Sequence, residues 1–229
     1  VALKKFIGSP VGTCVLEDFD HCDLMLFFGQ NTGSNSPRFL HTLQQAKQRG
    51  CTIITFNPVR EAGLLRFRNP QQITQMLGRS TEISDLYLQV RPGGDMAAIL
   101  GLIKRVLELE VAEGGILDHG FIAEHTTGYE ALKAHAEATG WDEIEELSGL
   151  TRAHLRDVGT VYARSKRVVA MYGMGLTQHV RGGETLGMMV NLMLLRGNIG
   201  RLGAGVSPVR GHSNVQGQRT VGIAEKPEL

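Results

Sequence analysis

Short, uninterrupted apolar runs recur along the chain, and between them apolar residues follow helical spacing. Runs of this length are typical of strands buried on both faces of a parallel sheet. The predicted strands are Leu24–Phe28, Cys51–Phe56, Leu86–Val90 and a strand that starts at Val168.

The intervening segments predict helices. Pro37 opens the first and Gly50 ends it, and its buried side is marked by Phe39, Leu40, Leu43 and Ala46. A second helix is predicted over Met96–Val111. The largely apolar stripe Leu186–Leu195 predicts a third, buried helix.

Two segments depart from simple alternation. Residues 61–84 are longer than a usual connection and are interpreted as an insertion. Residues 117–150 are polar with helical spacing, and Thr151 begins a further helix. The order is β-α-β-insert-β-α-helical inset-α-β-α. It predicts an α/β fold with a mainly parallel sheet flanked by helices, a Rossmann-like nucleotide-binding domain with a helical inset.

The turn after the first predicted strand is rich in glycine and amides. It reads Gly29-Gln30-Asn31-Thr32-Gly33-Ser34-Asn35 and is followed by the first helix. Strand, turn and helix form the first βα unit of a nucleotide-binding sheet, although GxNxGxN differs from the GxGxxG pattern. An ordinary βα loop is the alternative. Asn57 ends the second strand, where a side chain commonly meets a ribose hydroxyl.

Asp95 follows the third predicted strand and has two compatible interpretations. Its carboxylate is expected to cap the helix Met96–Val111 by accepting from free backbone N–H groups. A carboxylate also matches the N1–H and N2–H donors of guanine, because it offers two acceptor oxygens.

The C-terminal region combines closely spaced glycines with fixed polar groups. Gly173-Met174-Gly175 follows the last predicted strand, and the later glycines are Gly197, Gly200, Gly203 and Gly205. Such density allows close ligand approach, or it serves tight turns between packed elements. The polar side chains favour binding of a large, polar, anionic organic cofactor: Gln178, His179, Arg210, Asn214 and Gln216.

Composition narrows the possible partners. The 229 residues carry 24 Lys and Arg against 23 Asp and Glu, which gives no electrostatic case for nucleic acid or an anionic membrane. No apolar run reaches the roughly twenty residues of a membrane span. Cys14, Cys22 and Cys51 lack CxxC spacing and predict no disulfide framework, zinc site or iron–sulfur site. Free thiols favour a reducing compartment, so a cytoplasmic location is expected.

Several ordered motifs together resemble a known family. These are FFGQNTGSNSP, IITFNPVRE, VRPGGD, GMGLTQH and RGNIGRLGAGVSPVRGHSNVQG. The chain is similar to molybdopterin oxidoreductases that carry bis(molybdopterin guanine dinucleotide), and in particular to formate-dehydrogenase-like oxidoreductase alpha (molybdopterin) subunits. The likeness covers nearly the whole chain.

The resemblance implies roles for individual residues. Gly29, Gln30, Asn31, Ser34, Asn57 and Asp95 would bind the cofactor, mostly at one guanosine end. Met174, Gly175 and Gln178 would lie nearer the pterins, with His179, Asn214 and Gln216 as further cofactor-binding residues. Arg210 and His212 would be catalytic, Arg210 through a two-donor fork to an anionic substrate such as formate. His212 stands where formate dehydrogenases usually have glutamine.

The resemblance also implies that this chain is one domain of a larger protein. Family members are several times longer, so residues 1–229 are expected to be the central cofactor-binding domain of a larger chain. The metal, molybdenum or tungsten, would take a cysteine or selenocysteine ligand upstream of Val1, so the isolated chain is expected to be inactive. Expected partners are the remaining domains of the parent chain, a small anionic substrate and an electron-transfer subunit. The resemblance leaves open whether an iron–sulfur cluster is present. A non-catalytic domain and another nucleotide-binding α/β domain are the alternatives.

Overall fold

The computed structural model describes residues 2–76, 78–209, 211, 217–218 and 221–223. Its strands are Leu24–Phe28 (β1), Thr52–Phe56 (β2), Arg66–Phe67 (β3), Thr81–Glu82 (β4), Leu86–Leu88 (β5), Val168–Tyr172 (β6) and Gly205–Pro208 (β7). Its first six helices are Ala2–Ile7 (α1), Thr32–Asn35 (α2), Phe39–Gln48 (α3), Ala62–Leu65 (α4), Ile73–Met76 (α5) and Asp95–Glu113 (α6).

The remaining helices are His119–His125 (α7), Tyr129–Ala138 (α8), Trp141–Ser148 (α9), Arg152–Arg164 (α10), Met174–Thr177 (α11) and Gly182–Leu194 (α12). A short 3₁₀ helix covers Leu16–Asp20. Among the described residues, no helix has both the length and the apolar character needed to cross a membrane.

Five strands form one parallel sheet in the order β5-β2-β1-β6-β7. Leu24 of β1 is in register with Thr52 of β2 on one side and with Val168 of β6 on the other. The α/β fold class with a mainly parallel sheet flanked by helices is therefore confirmed. β3 and β4 pair separately as an antiparallel ribbon, so the stretch interpreted as an insertion, residues 61–84, contains short regular elements.

Alternate residues of the central strand enter two different cores. Leu24, Leu26 and Phe28 face a large core formed with α6, α10 and α12. Met25 and Phe27 face a smaller core beneath α3. Since every residue of β1 is buried, the strand has no polar face, and this explains its continuous apolar run.

Polar contacts hold α10 and the segment that precedes α7 against α12. The Tyr162 hydroxyl on α10 donates to the Leu192 carbonyl of α12 at 2.6 Å. The Arg196 guanidinium donates to the Ile116 carbonyl at 2.8 Å and to the Ser165 carbonyl at 3.1 Å. These bonds satisfy carbonyls at the ends of helices and fix α10 against α6 and α12.

Several element predictions need correction. β7 was not predicted, because a short edge strand containing glycine and proline lacks a continuous apolar run. β5 ends at Leu88 rather than Val90, and α12 begins at Gly182 rather than Leu186. The helix predicted over Met96–Val111 extends over Asp95–Glu113.

Candidate functional site

The strand order places one crevice at the carboxyl edge of the sheet. After β1 the chain moves to β2 on one side, whereas β6 lies on the other side of β1. In open parallel sheets, ligands bind outside the carboxyl ends of the strands where the order reverses in this way. The loops that follow β1 and β6 are therefore the first place to look for a site.

These two loops lie in backbone contact. The Gly173 N–H donates to the Phe28 carbonyl at 3.0 Å, and the Gly175 N–H donates to the Gly29 carbonyl at 3.1 Å. A Cβ on Gly29 would lie 2.6 Å from the Leu176 nitrogen, and one on Gly175 would lie 2.8 Å from the Gly29 oxygen. The glycines are thus required for the two loops of the protein to meet, before any ligand is considered.

The later glycines also allow close packing between segments of the protein itself. A Cβ on Gly203 would lie 2.9 Å from the His21 backbone, and one on Gly205 would lie 2.6 Å from Cys14 Sγ. Both glycines have positive φ values, +77° and +152°. The structure therefore supports the alternative interpretation at Gly203, which lies in a tight turn, whereas Gly205 begins β7 and packs closely against the segment that contains Cys14.

Unpaired polar atoms mark the loops after β1 and β6. Among the described residues, four buried side-chain nitrogen or oxygen atoms have no hydrogen-bond partner, and three of them lie in these loops. They are Gln30 Nε2, Thr32 Oγ1 and His179 Nε2. Gln30 is 3% exposed and Thr32 is 0% exposed, so water does not readily replace a missing partner. We call these three residues the orphan cluster; Thr32 was missed because nothing in the sequence shows which hydroxyl lacks a partner.

Asp95 begins α6 as a buried carboxyl group, 6% exposed. Burial raises its pKa from 3.8 to about 6, while a hydrogen bond from its own backbone and the charge of His179 act in the opposite direction. The expected cap is wrong: Gly94 holds the N-cap position, and no side chain caps the helix. The carboxyl group lies one position inside the helix, in its first turn, where the helix dipole favours negative charge.

Asn57 and Asn31 use part of their hydrogen-bonding capacity locally. Asn57 Nδ2 donates to the Val59 carbonyl at 2.6 Å and lies 3.4 Å from the Tyr87 hydroxyl. The side-chain oxygen of Asn31 accepts from the Ser34 N–H at 3.2 Å and caps α2. Both amides therefore fix the loops in which they lie, and Ser34 itself is exposed.

A cavity of about 330 Å³ opens beside the loop after β6. It lies between α1, the ends of β6 and β7, and the start of α12. Met174 lines it and is 42% exposed. Gln178 is also exposed and closes α11 through its backbone N–H, which donates to the Met174 carbonyl.

The structure thus brings together some predicted site residues. Gly29 lies against Gly175, Gln30 lies against Gly173, and Asp95 interacts electrostatically with His179. Asn57 lies one strand away, at the end of β2. Four predicted residues lie outside the described residues: Arg210, His212, Asn214 and Gln216.

Comparison with known proteins gives concordant results. The sequence profile of the family "Molybdopterin oxidoreductase" matches residues 2–225. Protein YdeP of Escherichia coli is 43% identical over 233 aligned positions, which cover 99% of this chain and 31% of that protein. The "Uncharacterized oxidoreductase Rv2900c" of Mycobacterium tuberculosis is 43% identical, with 98% of this chain and 29% of that protein covered.

More distant likenesses extend the comparison. Formate dehydrogenase H of Escherichia coli is 28% identical over 96% of this chain and 28% of its own length. Acetylene hydratase from Pelobacter acetylenicus matches in fold with a TM-score of 0.71 at 19% identity, over 90% of this chain and 25% of that chain. The chain spans about three tenths of the curated relatives that it matches. With the family profile matched along almost its whole length, this chain belongs to the molybdopterin oxidoreductase family.

Proposed function

We propose that this chain is the cofactor-binding domain of a molybdopterin-dependent oxidoreductase of formate-dehydrogenase type. The cofactor would be bis(molybdopterin guanine dinucleotide) with molybdenum or tungsten. The complete protein would carry out a two-electron oxidation or reduction of a small anionic substrate. The observation that carries the proposal is the orphan cluster of Gln30, Thr32 and His179, which lies in the segments that follow β1 and β6.

The orphan cluster supports a polar ligand for an energetic reason. A buried polar group without a hydrogen-bond partner lowers the free energy of unfolding by about 1–3 kcal/mol, so three such groups destabilise the ligand-free fold. The Gln30 amide nitrogen donates, the Thr32 hydroxyl donates or accepts, and the histidine nitrogen does either according to its tautomer. A pterin dinucleotide offers phosphate, hydroxyl and ring atoms that match these groups.

The surrounding residues would contact two different parts of the cofactor, its guanosine end and its pterins. Asp95 would accept hydrogen bonds from guanine N1–H and N2–H. Asn57 would contact ribose through the hydrogen-bonding capacity that its contacts with Val59 and Tyr87 leave free. Gly29, Asn31 and Ser34 would lie along the same guanosine end. Met174, Gly175 and Gln178 would lie nearer the pterins, beside the cavity at the end of β6.

Substrate chemistry would depend on the C-terminal motif. The bound metal cofactor would supply the two-electron redox chemistry, and the protein would supply binding, orientation and local charge. Arg210 would hold an anionic substrate such as formate by its planar fork, since arginine binds a carboxylate through two parallel N–H bonds. His212 would place a titratable imidazole nearby, and Asn214 and Gln216 would contact the cofactor.

A matched pair of threonine variants tests the proposal in the full-length protein. Thr32→Val removes an unpaired hydroxyl, whereas Thr55→Val removes a hydroxyl that lies 2.7 Å from Ser84 Oγ. Both threonines are 0% exposed. We expect Thr32→Val to lower cofactor occupancy about tenfold under limiting cofactor, because a contact worth about 1.4 kcal/mol is lost. Metal analysis and guanine nucleotide released by hydrolysis measure that occupancy.

Stability measurements separate a binding role from a folding role. In the cofactor-free protein, Thr32→Val should be neutral or stabilising, because no hydrogen bond is lost. Thr55→Val should lower the free energy of unfolding by about 1 kcal/mol and leave cofactor occupancy unchanged. Equal occupancy in wild type and Thr32→Val would contradict the site, and absence of guanine nucleotide from the wild type would contradict the cofactor.

A further inference from the structure

Two cysteines lie close together at the amino edge of the sheet, at the opposite end of the strands from the crevice. Cys22 and Cys51 are separated by 29 positions in the sequence, yet their Sγ atoms lie 3.8 Å apart. Pairing of β1 with β2 produces this contact, because Leu24 is in register with Thr52. Both cysteines are buried, 6% and 3% exposed, and both are free thiols.

Two basic side chains, Arg49 and Lys47, lie near the pair, and each also forms an ion pair, Arg49 with Asp20 and Lys47 with Asp85. The Arg49 guanidinium donates to the Phe19 carbonyl at 2.6 Å and forms an ion pair with Asp20 at 3.3 Å. Lys47 Nζ donates to the Cys51 carbonyl at 3.3 Å. Positive charge near a cysteine favours the thiolate, which is the nucleophilic form.

The two thiols differ in acidity. The contact with Cys51 lowers the pKa of the Cys22 thiol below its usual value and Arg49 acts in the same direction, whereas burial and the charge of Asp23 oppose them. The same contact with Cys22, together with burial, raises the pKa of Cys51. The 3.8 Å contact between the two sulfurs lets either thiol resolve a sulfenic acid formed on the other, and the directions of these pKa shifts favour Cys22 as the thiol that attacks first.

We propose that Cys22 and Cys51 form a reversible modification site, a dithiol that a hydroperoxide oxidises to an intramolecular disulfide. A disulfide holds its sulfurs about 2.05 Å apart, so the two side chains have only a short gap to close. Cys14 is left out of the pair because its thiol lies against Gly205, and among the described residues the one sulfur–sulfur contact joins Cys22 and Cys51.

The chemical steps balance with hydrogen peroxide as oxidant. The Cys22 thiolate attacks one oxygen, the O–O bond breaks, hydroxide leaves, and Cys22 becomes a sulfenic acid. The Cys51 sulfur then attacks the Cys22 sulfur and the S–O bond breaks. The Cys51 proton and the departing hydroxyl leave together as water. The two thiols lose two electrons, which the peroxide accepts.

Peptide mapping of the native protein tests the proposal directly. The protein is treated with hydrogen peroxide, its remaining thiols are alkylated in denaturant, and the peptides are mapped without reductant. We expect a cross-link between the Cys22 and Cys51 peptides, with Cys14 alkylated and with full reversal by dithiothreitol. The same treatment in denaturant should give mixed pairings among the three cysteines, because the strand register that selects the pair is lost.

Variants provide the controls. Cys14→Ala should form the cross-link at the wild-type rate, and Cys51→Ala should leave Cys22 as a trapped sulfenic acid. Arg49→Gln should shift the pH at which the oxidation rate is half-maximal upwards, while the product stays the same. Two alkylated thiols at Cys22 and Cys51 after peroxide treatment of the native wild type would overturn the proposal. A cross-link that includes Cys14 in the native protein would also overturn it.

Discussion

The buried carboxyl group of Asp95 makes the stability of the cofactor-free fold depend on pH. Its carboxyl group lies in the first turn of α6 and is 6% exposed. Burial raises its pKa from 3.8 to about 6, so the folded state holds the proton more tightly than the unfolded chain does. The resulting stabilisation is complete below pH 4 and is lost as the pH rises through about 6.

Asp95→Asn should therefore change stability in a pH-dependent way. At pH 7 the cofactor-free variant should be more stable than wild type by about 1–3 kcal/mol, since it has no carboxylate to desolvate. At pH 4 this gain should largely disappear. Urea unfolding of both proteins at the two pH values measures the difference. An equal difference at both values would show that the ionisation of Asp95 does not govern it.

The same substitution should weaken guanine binding. An amide replaces one acceptor oxygen with a donor, so the match to guanine N1–H and N2–H is lost at a cost of about 1–3 kcal/mol. Guanine and adenine nucleotides serve as matched ligands in the binding measurement. An unchanged preference between them would remove Asp95 from the guanine site.

At the scale of elements, glycine sets how closely α6 and α10 approach. A Cβ on Gly159 would lie 2.7 Å from Arg105 Cβ and 2.8 Å from Arg105 Cγ. Arg105 is itself held in place, since its Nε donates to Thr160 Oγ1 at 3.0 Å. The close packing of these two helices therefore depends on the absence of a side chain at position 159.

Gly159→Ala should be destabilising although alanine favours helices. The propensity gain is about 1 kcal/mol, whereas forcing the helices apart typically costs 1–3 kcal/mol, so we expect a net loss of up to about 2 kcal/mol. Gly120→Ala is the matched control in α7, because its Cβ would meet its nearest neighbour at 3.7 Å. Thermal or urea unfolding compares the two. Stabilisation by both substitutions would mean that the α6–α10 contact adapts without cost.

The accuracy of sequence-based prediction also differs between elements. β1, β2 and β6 were predicted because strands covered on both faces require uninterrupted apolar residues. β7 was missed because an edge strand with glycine, serine and proline does not show that pattern. The Asp95 cap was wrong by one position, since only the backbone conformation decides which residue precedes the first helical one.

The candidate site was predictable only in part for a related reason. Loops after β1 and β6 follow from strand order, and their glycines and amides are visible in the sequence. Thr32, by contrast, is distinguished by a missing hydrogen bond, and the Cys22–Cys51 contact by the register of two strands. Both properties depend on three-dimensional partners that residue spacing does not encode.

The whole molecule has two chemically different edges. The orphan cluster and Asp95 lie at the carboxyl edge of the sheet, whereas Cys22 and Cys51 lie at the amino edge. A five-residue strand such as β1 separates these edges by about 16 Å. The two central strands between them, β1 and β6, are buried along their whole length, so a ligand at one edge is expected to leave the other unchanged.

Removal of the cofactor from the full-length protein should reveal this separation. Without ligand, the orphan cluster keeps its unpaired polar atoms, so local opening of the loops after β1 and β6 becomes easier. We expect faster amide hydrogen exchange over residues 29–36 and 173–181 in the cofactor-free protein, with unchanged exchange over residues 22–28 and 51–56. Hydrogen–deuterium exchange of loaded and cofactor-free protein, followed by mass spectrometry, makes the comparison. Faster exchange across the strands would show that the cofactor stabilises the whole sheet, and unchanged loops would place its binding elsewhere.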